Sequence, residues 1–111
     1  MKTQIEICQK YHSQYEPVQP NDMVAVALQT IGQIPICGTR VILTSNEKIS
    51  WFFHCGEFSE DDNFYQPIHV AHLNDLLPEV VSYLALEQGF RFVIDGKEYE
   101  DVWKENNNVG K

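Results

Sequence analysis

The stretch Ile49-Ser50-Trp51-Phe52-Phe53-His54-Cys55 holds three consecutive aromatic residues, and it indicates where the fold is centred. Aromatic residues favour strands, and successive side chains of a strand point to opposite faces of the sheet. Because both faces of this stretch are apolar, we predict a covered strand that lies centrally in a sheet.

Three further elements are predicted upstream of this strand. Met23–Leu28 is a short run rich in valine and alanine, which is typical of a buried strand, although its alanines leave a helix open. Ile36–Thr44 is predicted to be extended. Thr3–Ser13 carries apolar residues at steps of three and four, which predicts a short amphipathic helix.

Downstream, His69–Leu86 has apolar residues at helical spacing and predicts a helix. Proline is tolerated in the first turn of a helix, so Pro78 is placed there with Asn74 or Asp75 as the cap. The turn at Val70–Leu73 can form a separate short helix.

The last third contains Asp95-Gly96 between two runs of strand-forming residues, which predicts a hairpin with a two-residue turn. The resulting register pairs Ile94 with Lys97, Phe92 with Tyr99 and Arg91 with Glu100. The predicted core residues of the chain include Trp51, Phe92, Tyr99 and Trp103.

A chain of 111 residues, 43% of them hydrophobic, corresponds to one domain. Hairpins without alternating strand–helix units favour an α+β fold, with an antiparallel sheet of four or five strands and two or three helices packed mainly on one face. Residues 1–20 are predicted to form the N-terminal helix and a connector, residues 23–104 the core, and residues 105–111 a tail.

Charge, hydropathy and cysteine spacing together limit the class of protein and its compartment. A net charge of -8 would repel nucleic acid at long range. No apolar run approaches the roughly 20 residues that a membrane-spanning helix needs, and no signal peptide is visible, so we predict a cytoplasmic protein. The three cysteines form no paired motif and are expected to be free structural thiols.

Acidic residues are concentrated between Gly56 and Asn63, next to aromatic residues. Such a stretch is typical of a solvated loop, and it lacks the ligand spacing of a calcium site. Acids flanked by aromatics are also typical of a protein-binding surface, which would attract a basic partner. The predicted partner-binding residues are Glu57, Phe58, Glu60, Asp61, Asp62 and Tyr65. The alternative is that the neighbouring aromatics turn inward and hold the loop against the core, which is at least as well supported for Phe64.

Catalytic and metal sites find less support. His69 and His72 are three residues apart and could share a metal, but a zinc site needs three or four ligands, and the adjacent His54 and Cys55 point to opposite faces of a strand. No lysine or arginine lies between Ile49 and Phe90 to stabilise a thiolate. We therefore predict no enzyme, cofactor or metal, and keep as alternatives a small metal-binding or hydrolytic protein using these two histidines, or a general protein-interaction module.

Six blocks occur in a characteristic order: IPICGTR (34–40), SWFFHCGE (50–57), NFYQPIHVAHL (63–73), PEV (78–80), GFRF (89–92) and YEDVW (99–103). Over residues 23–104 the chain resembles a bacterial immunity-protein family of the polymorphic-toxin systems, the thirty-third in that numbering. The resemblance implies a small cytosolic antidote that binds a cognate toxin and has no catalytic residues. It does not specify the toxin or the oligomeric state.

Overall fold

Six strands form one mixed sheet in the computed structural model, which describes residues 3–44 and 46–105. The strands are β1 (Met23–Val26), β2 (Ile36–Arg40), β3 (Trp51–Cys55), β4 (Gln66–His69), β5 (Phe90–Ile94) and β6 (Glu100–Lys104). Their order across the sheet is β4-β1-β3-β2-β5-β6. Strands β1 and β3 are parallel, and every other neighbouring pair is antiparallel.

The predicted α+β class is confirmed, whereas the predicted antiparallel sheet of four or five strands is wrong. The additional strand is β4, which contains Pro67 and lies at an edge of the sheet. Proline cannot donate a ladder hydrogen bond, so an edge is where a strand tolerates it. The predicted tail lies outside the described residues apart from Glu105.

The first predicted helix is present as α1 (Gln4–Lys10). Its N-terminus is closed by a capping box, in which Thr3 Oγ1 accepts the backbone N–H of Glu6 at 3.1 Å and the Thr3 N–H donates to Glu6 Oε1 at 2.8 Å. Reciprocal bonds of this kind satisfy backbone donors that have no partner within the helix.

The prediction of a continuous helix over His69–Leu86 is wrong, because the chain is divided there into three short pieces, whereas a separate short helix near Val70 and the place of Pro78 in a first helical turn are confirmed. These are a 3₁₀ helix at Val70–His72, α2 (Leu73–Leu76) and a second 3₁₀ helix at Pro78–Tyr83. Leu77 has φ -150° and ψ 65°, outside the helical region. Helical geometry is sterically disfavoured for a residue before proline, so Pro78 begins a new segment instead of continuing the old one. Neither Asn74 nor Asp75 acts as the predicted cap.

The hydrophobic core lies on one face of the sheet, beneath α1 and the Pro78–Tyr83 helix. Trp51 and Phe53 of β3 are fully buried there, with ring centroids 5.2 Å apart. Phe92 of β5 is also buried, and its ring stacks on that of Tyr83 with centroids 4.6 Å apart. Gly38 of β2 lies opposite both Phe53 and Phe92, where the absence of a side chain leaves room for the rings.

The hairpin between β5 and β6 has a different register from the predicted one. Ile94 lies opposite Glu100, Phe92 opposite Val102 and Arg91 opposite Trp103. A wider loop over residues 95–99 replaces the two-residue turn. The reason is the Asp95 side chain, whose Oδ1 accepts the backbone N–H groups of Lys97 at 2.8 Å and Tyr99 at 3.1 Å.

This register also changes the predicted core. Trp51 and Phe92 are buried as predicted, but the prediction for Tyr99 is wrong, because it lies in the hairpin loop with 54% of its surface exposed. Trp103 is half-buried on the opposite face of the sheet from Phe92, so it does not belong to the core either.

Glu100 joins α1 and the Pro78–Tyr83 helix to the edge of the sheet. Its carboxylate accepts hydrogen bonds from the hydroxyl groups of Tyr11 and Tyr83, and from Lys10 Nζ at 2.8 Å. Burial acts to raise the pKa of Glu100, but the three hydrogen bonds outweigh it and lower that pKa to about 2. The charged carboxylate therefore holds three segments together at neutral pH.

Candidate functional site

The helices that the structure describes over residues 3–44 and 46–105 pack on the core face of the sheet. The side chains of the second face form two rows across four strands. Residues paired across neighbouring strands share a face. One row contains His54, Cys37, Val93 and Asp101, and the other contains Phe52, Thr39, Arg91 and Trp103. We call this surface the open face.

A groove with a volume of about 630 Å³ lies on the open face. The residues that line it include Cys37, Thr39, Val41, Phe52, His54, Phe58, Tyr65, Arg91, Val93 and Trp103. Its volume is within the range of roughly 300–1,000 Å³ that is usual for binding pockets. We call it the open-face groove.

One side of the open-face groove is built from aromatic rings of β3 and the loop that follows. Phe52 meets Tyr65 edge to face with centroids 5.3 Å apart, and Phe58 meets the His54 ring at 5.7 Å. The Tyr65 hydroxyl lies 3.4 Å from His54 Nδ1. Phe58 remains 58% exposed, although it contacts this cluster.

Phe64 supports this side of the groove from below. Only 4% of its surface is exposed, and its ring packs against Phe58 with centroids 5.5 Å apart. Phe64 thus turns inward, which is the alternative given for the loop aromatics, but it packs against these rings and is not part of the core cluster. Its burial holds the exposed Phe58 at the groove.

The other side of the groove is formed by Arg91 and Trp103, which are paired across β5 and β6. The Arg91 guanidinium lies 5.8 Å from the centre of the Trp103 ring and 3.4 Å from a carboxylate oxygen of Glu105. Stacking on an aromatic ring and pairing with a carboxylate both restrain the guanidinium.

The six predicted partner-binding residues lie in the segment that borders the aromatic side of the groove. Glu57, Phe58, Glu60, Asp61 and Asp62 are all exposed, and Tyr65 is half-buried in the groove wall. The segment is a loop, as predicted, and side chains shape it locally: Asp61 Oδ1 accepts the N–H of Asn63 at 2.8 Å. We call residues 57–62 the acidic loop.

Burial determines the protonation states of the histidine and the cysteine in the groove. It lowers the pKa of His54, an effect to which the nearby positive charge of Arg91 adds. Burial also raises the pKa of the Cys37 thiol. Near neutral pH the imidazole is therefore uncharged and the thiol protonated, so the floor and the aromatic side present apolar, neutral surface.

The residues of the predicted metal alternative lie elsewhere. His69 and His72 are exposed neighbours whose ring centroids are 6.1 Å apart. Within residues 3–44 and 46–105, no three histidine, cysteine or acidic side chains are grouped so that they could hold a metal ion. His54 faces the groove while the adjacent Cys55 is buried in the core, as strand alternation predicts.

The groove itself was not predicted. The three aromatic residues of β3 made both faces of the strand look covered, whereas Phe52 and His54 are half-exposed and only the alternate residues are fully buried. The position of β3 inside the sheet is as predicted. In the described part of the chain, no helix has the length and apolar character required to cross a bilayer.

The fold and the groove define a small α+β domain with one covered and one open sheet face. Residues 3–105 match the Imm33-like domain, so the chain belongs to the Imm33-like family, and the resemblance of its sequence blocks to that immunity family is confirmed. Neither the curated proteins nor the solved structures provide a match to the chain.

Proposed function

We propose that this chain is a cytoplasmic immunity protein that binds and neutralises a cognate bacterial toxin by direct protein–protein contact. The observation that carries the proposal is the match of residues 3–105 to the Imm33-like domain. In this proposal the protein acts by occupying a surface of the toxin, and it performs no chemistry of its own.

The acidic loop supports the position of the contact. Four carboxylates lie close together in sequence at exposed positions, and Phe58 offers an exposed ring among them. Charges of one sign at the edge of an interface accelerate the approach of a partner of opposite sign, and a buried aromatic anchor slows its release. We therefore propose a toxin domain with a basic surface as the partner, and Glu57, Phe58, Glu60, Asp61, Asp62 and Tyr65 as contact residues.

The proposal is tested with the toxin domain encoded by the reading frame adjacent to the gene for this chain. Co-production of the two proteins should restore growth of cells that the toxin domain alone arrests, and the purified proteins should form a complex of defined stoichiometry. Continued growth arrest and failure of the purified proteins to associate would contradict the proposed function.

The contribution of the acidic loop is measured by replacing Glu60, Asp61 and Asp62 with lysine. The association rate constant at low salt should fall by at least about tenfold, and the difference should shrink as salt is added. The matched control replaces Asp75, Glu79 and Glu98 with lysine. These residues are exposed outside the acidic loop, and their replacement gives the same change in net charge. Equal slowing by both triple variants would mean that overall charge, and not this loop, guides the toxin.

A further inference from the structure

We infer that the toxin inserts an apolar or aromatic side chain into the open-face groove while neighbouring lysine or arginine side chains of the toxin contact the acidic loop. The inference rests on the proposed function and extends it, because it moves the energetic centre of the interface from the loop to the open sheet face.

The groove exists because the short side chains of β2 lie between larger side chains on the strands to either side. Cys37 and Thr39 of β2 occupy the middle of the two rows, with Phe52 on β3 to one side and Trp103 on β6 to the other. Short side chains between tall rings leave a recess that follows β2. Such a recess accepts a protruding side chain in the way that interface pockets accept an anchor residue.

The recess is uncharged and mainly apolar at its base, and it is open to solvent. Burial keeps His54 neutral and Cys37 protonated, and the remaining floor is formed by Thr39 and Val93. Phe58 at its border is more than half exposed. Removing this exposed ring and the recess from water would stabilise a complex. A polar, solvated loop alone does not provide that stabilisation.

The charges around the groove indicate which kind of partner segment would bind in it. The acidic loop borders the aromatic side of the groove, and Asp101 and Glu105 lie towards the opposite side. Among the described residues that line the groove, Arg91 is the one lysine or arginine, and it is paired with Glu105. The surroundings of the groove are therefore negative, and they complement a basic segment.

The same charge argues against a second copy of this chain as the occupant. Each copy carries a net charge of -8, and acidic residues border the groove on both sides, so apposition of two open faces would place acidic groups of one copy against those of the other. Like charges facing each other across an interface cost several kcal/mol in general. A basic toxin segment meets no such repulsion.

The experiment fills the groove without changing its charge. The Thr39→Trp variant places an indole in the recess from the middle of β2, and Ile5→Trp, at a residue of α1 that is 53% exposed, is the matched control on the covered side. Affinity for the toxin domain of the adjacent reading frame is measured by titration calorimetry. We expect Thr39→Trp to weaken binding roughly 100-fold and Ile5→Trp to leave it unchanged.

A second variant keeps the test informative if the indole disturbs folding, which circular dichroism and the thermal midpoint would reveal. Phe58→Ala removes a ring that is 58% exposed, so the fold should survive, and binding should weaken about 10- to 30-fold. Loss of binding in these groove variants, with the Ile5→Trp control intact, supports the inference.

Three outcomes would overturn it. Wild-type affinity in both Thr39→Trp and Phe58→Ala would exclude the groove while leaving the proposed function intact, because the toxin would still be bound. Failure of the unmodified chain to bind the toxin domain would remove the proposed function and the inference together. A dimer detected by sedimentation, and abolished by Thr39→Trp, would assign the groove to a second copy of the chain.

Discussion

The two faces of the sheet differ most clearly along β3. Trp51 and Phe53 are completely buried beneath the helical layer, whereas Phe52 and His54, which alternate with them, are half-exposed beside a groove. Neighbouring residues of one strand thus lie in different environments, one inside the core and the other beside the groove. The covered face holds the fold together, and the open face remains available to a partner, so its surface can change with little effect on stability.

The largest expected effect is the difference in stability between truncating a buried residue of β3 and truncating its neighbour on the open face. Phe53→Ala should lower the free energy of unfolding by about 3–5 kcal/mol, because it leaves a cavity in the core. Phe52→Ala should cost clearly less, about 1–2 kcal/mol, because its ring is only partly buried. Urea unfolding measures both values. Equal losses would mean that the open face contributes to the core as much as the covered one.

The attachment of the helical layer is tested next with Glu100→Gln. Because the folded-state pKa is depressed to about 2, from roughly 4.3 in the unfolded chain, the charged carboxylate stabilises the fold above pH 4.3. At pH 7 the variant should lose about 2–3 kcal/mol.

The pH dependence provides a separate check on the same residue. In the unmodified protein this contribution should disappear as pH falls from about 4.3 to about 2, and the variant should lack that part of the acid transition. Asp101→Asn, at the next residue on the exposed edge strand, serves as the control. A similar loss in the control would contradict a specific role for Glu100.

A smaller effect is expected at the centre of β2. A methyl group on Gly38 would lie 2.3 Å from a ring carbon of Phe92, so Gly38→Ala should cost about 1–3 kcal/mol through overpacking. Thr39→Ala, one residue further and on the open face, should change stability by less than about 1 kcal/mol. Thermal unfolding of both variants compares them, and a harmless Gly38→Ala would show that the core yields more easily than its packing indicates.

The smallest effect on stability is expected in the acidic loop. Lysine at residues 60, 61 and 62 should shift the free energy of unfolding by less than about 0.5 kcal/mol, since all three side chains are exposed. Chemical unfolding at physiological salt is the measurement. A large loss would give these acids a structural role and weaken the separation between the two faces.

Much of the fold could be predicted because it depends on local patterns. The capping box at Thr3 and the apolar steps after it specify α1, and the aromatic run of β3 indicates the centre of the sheet. The loop character of residues 57–62 also follows from composition. These signals lie within a few residues of one another.

The structural predictions fail where contacts between distant residues, or the hydrogen bonds of a single side chain, determine the structure. Parallel pairing of β1 with β3 depends on tertiary arrangement, and apolar residues every three or four positions before and after Pro78 do not distinguish an α-helix from successive 3₁₀ turns. In the hairpin, hydrogen bonds to Asp95 override the turn that Asp-Gly usually forms.

Of the surface that we propose as the contact, only the part made of consecutive residues could be anticipated from the sequence. Charge and aromatic content single out the acidic loop, because its residues are consecutive in sequence. The groove combines Thr39, Phe52, Arg91 and Trp103, which become neighbours only through the register of four strands. Without the shifted register of β6, Trp103 would have been placed elsewhere.

The position of β1 has a consequence for how the molecule assembles as it is made. Its two neighbours, β3 and β4, are both translated after it, and α1 packs on the Pro78–Tyr83 helix and on Glu100. Contacts between residues so far apart in the chain form slowly, because a long loop must close first. The strand β1 can therefore pair only after β3 and β4 have been synthesised, and α1 can reach Glu100 only after β6 has followed.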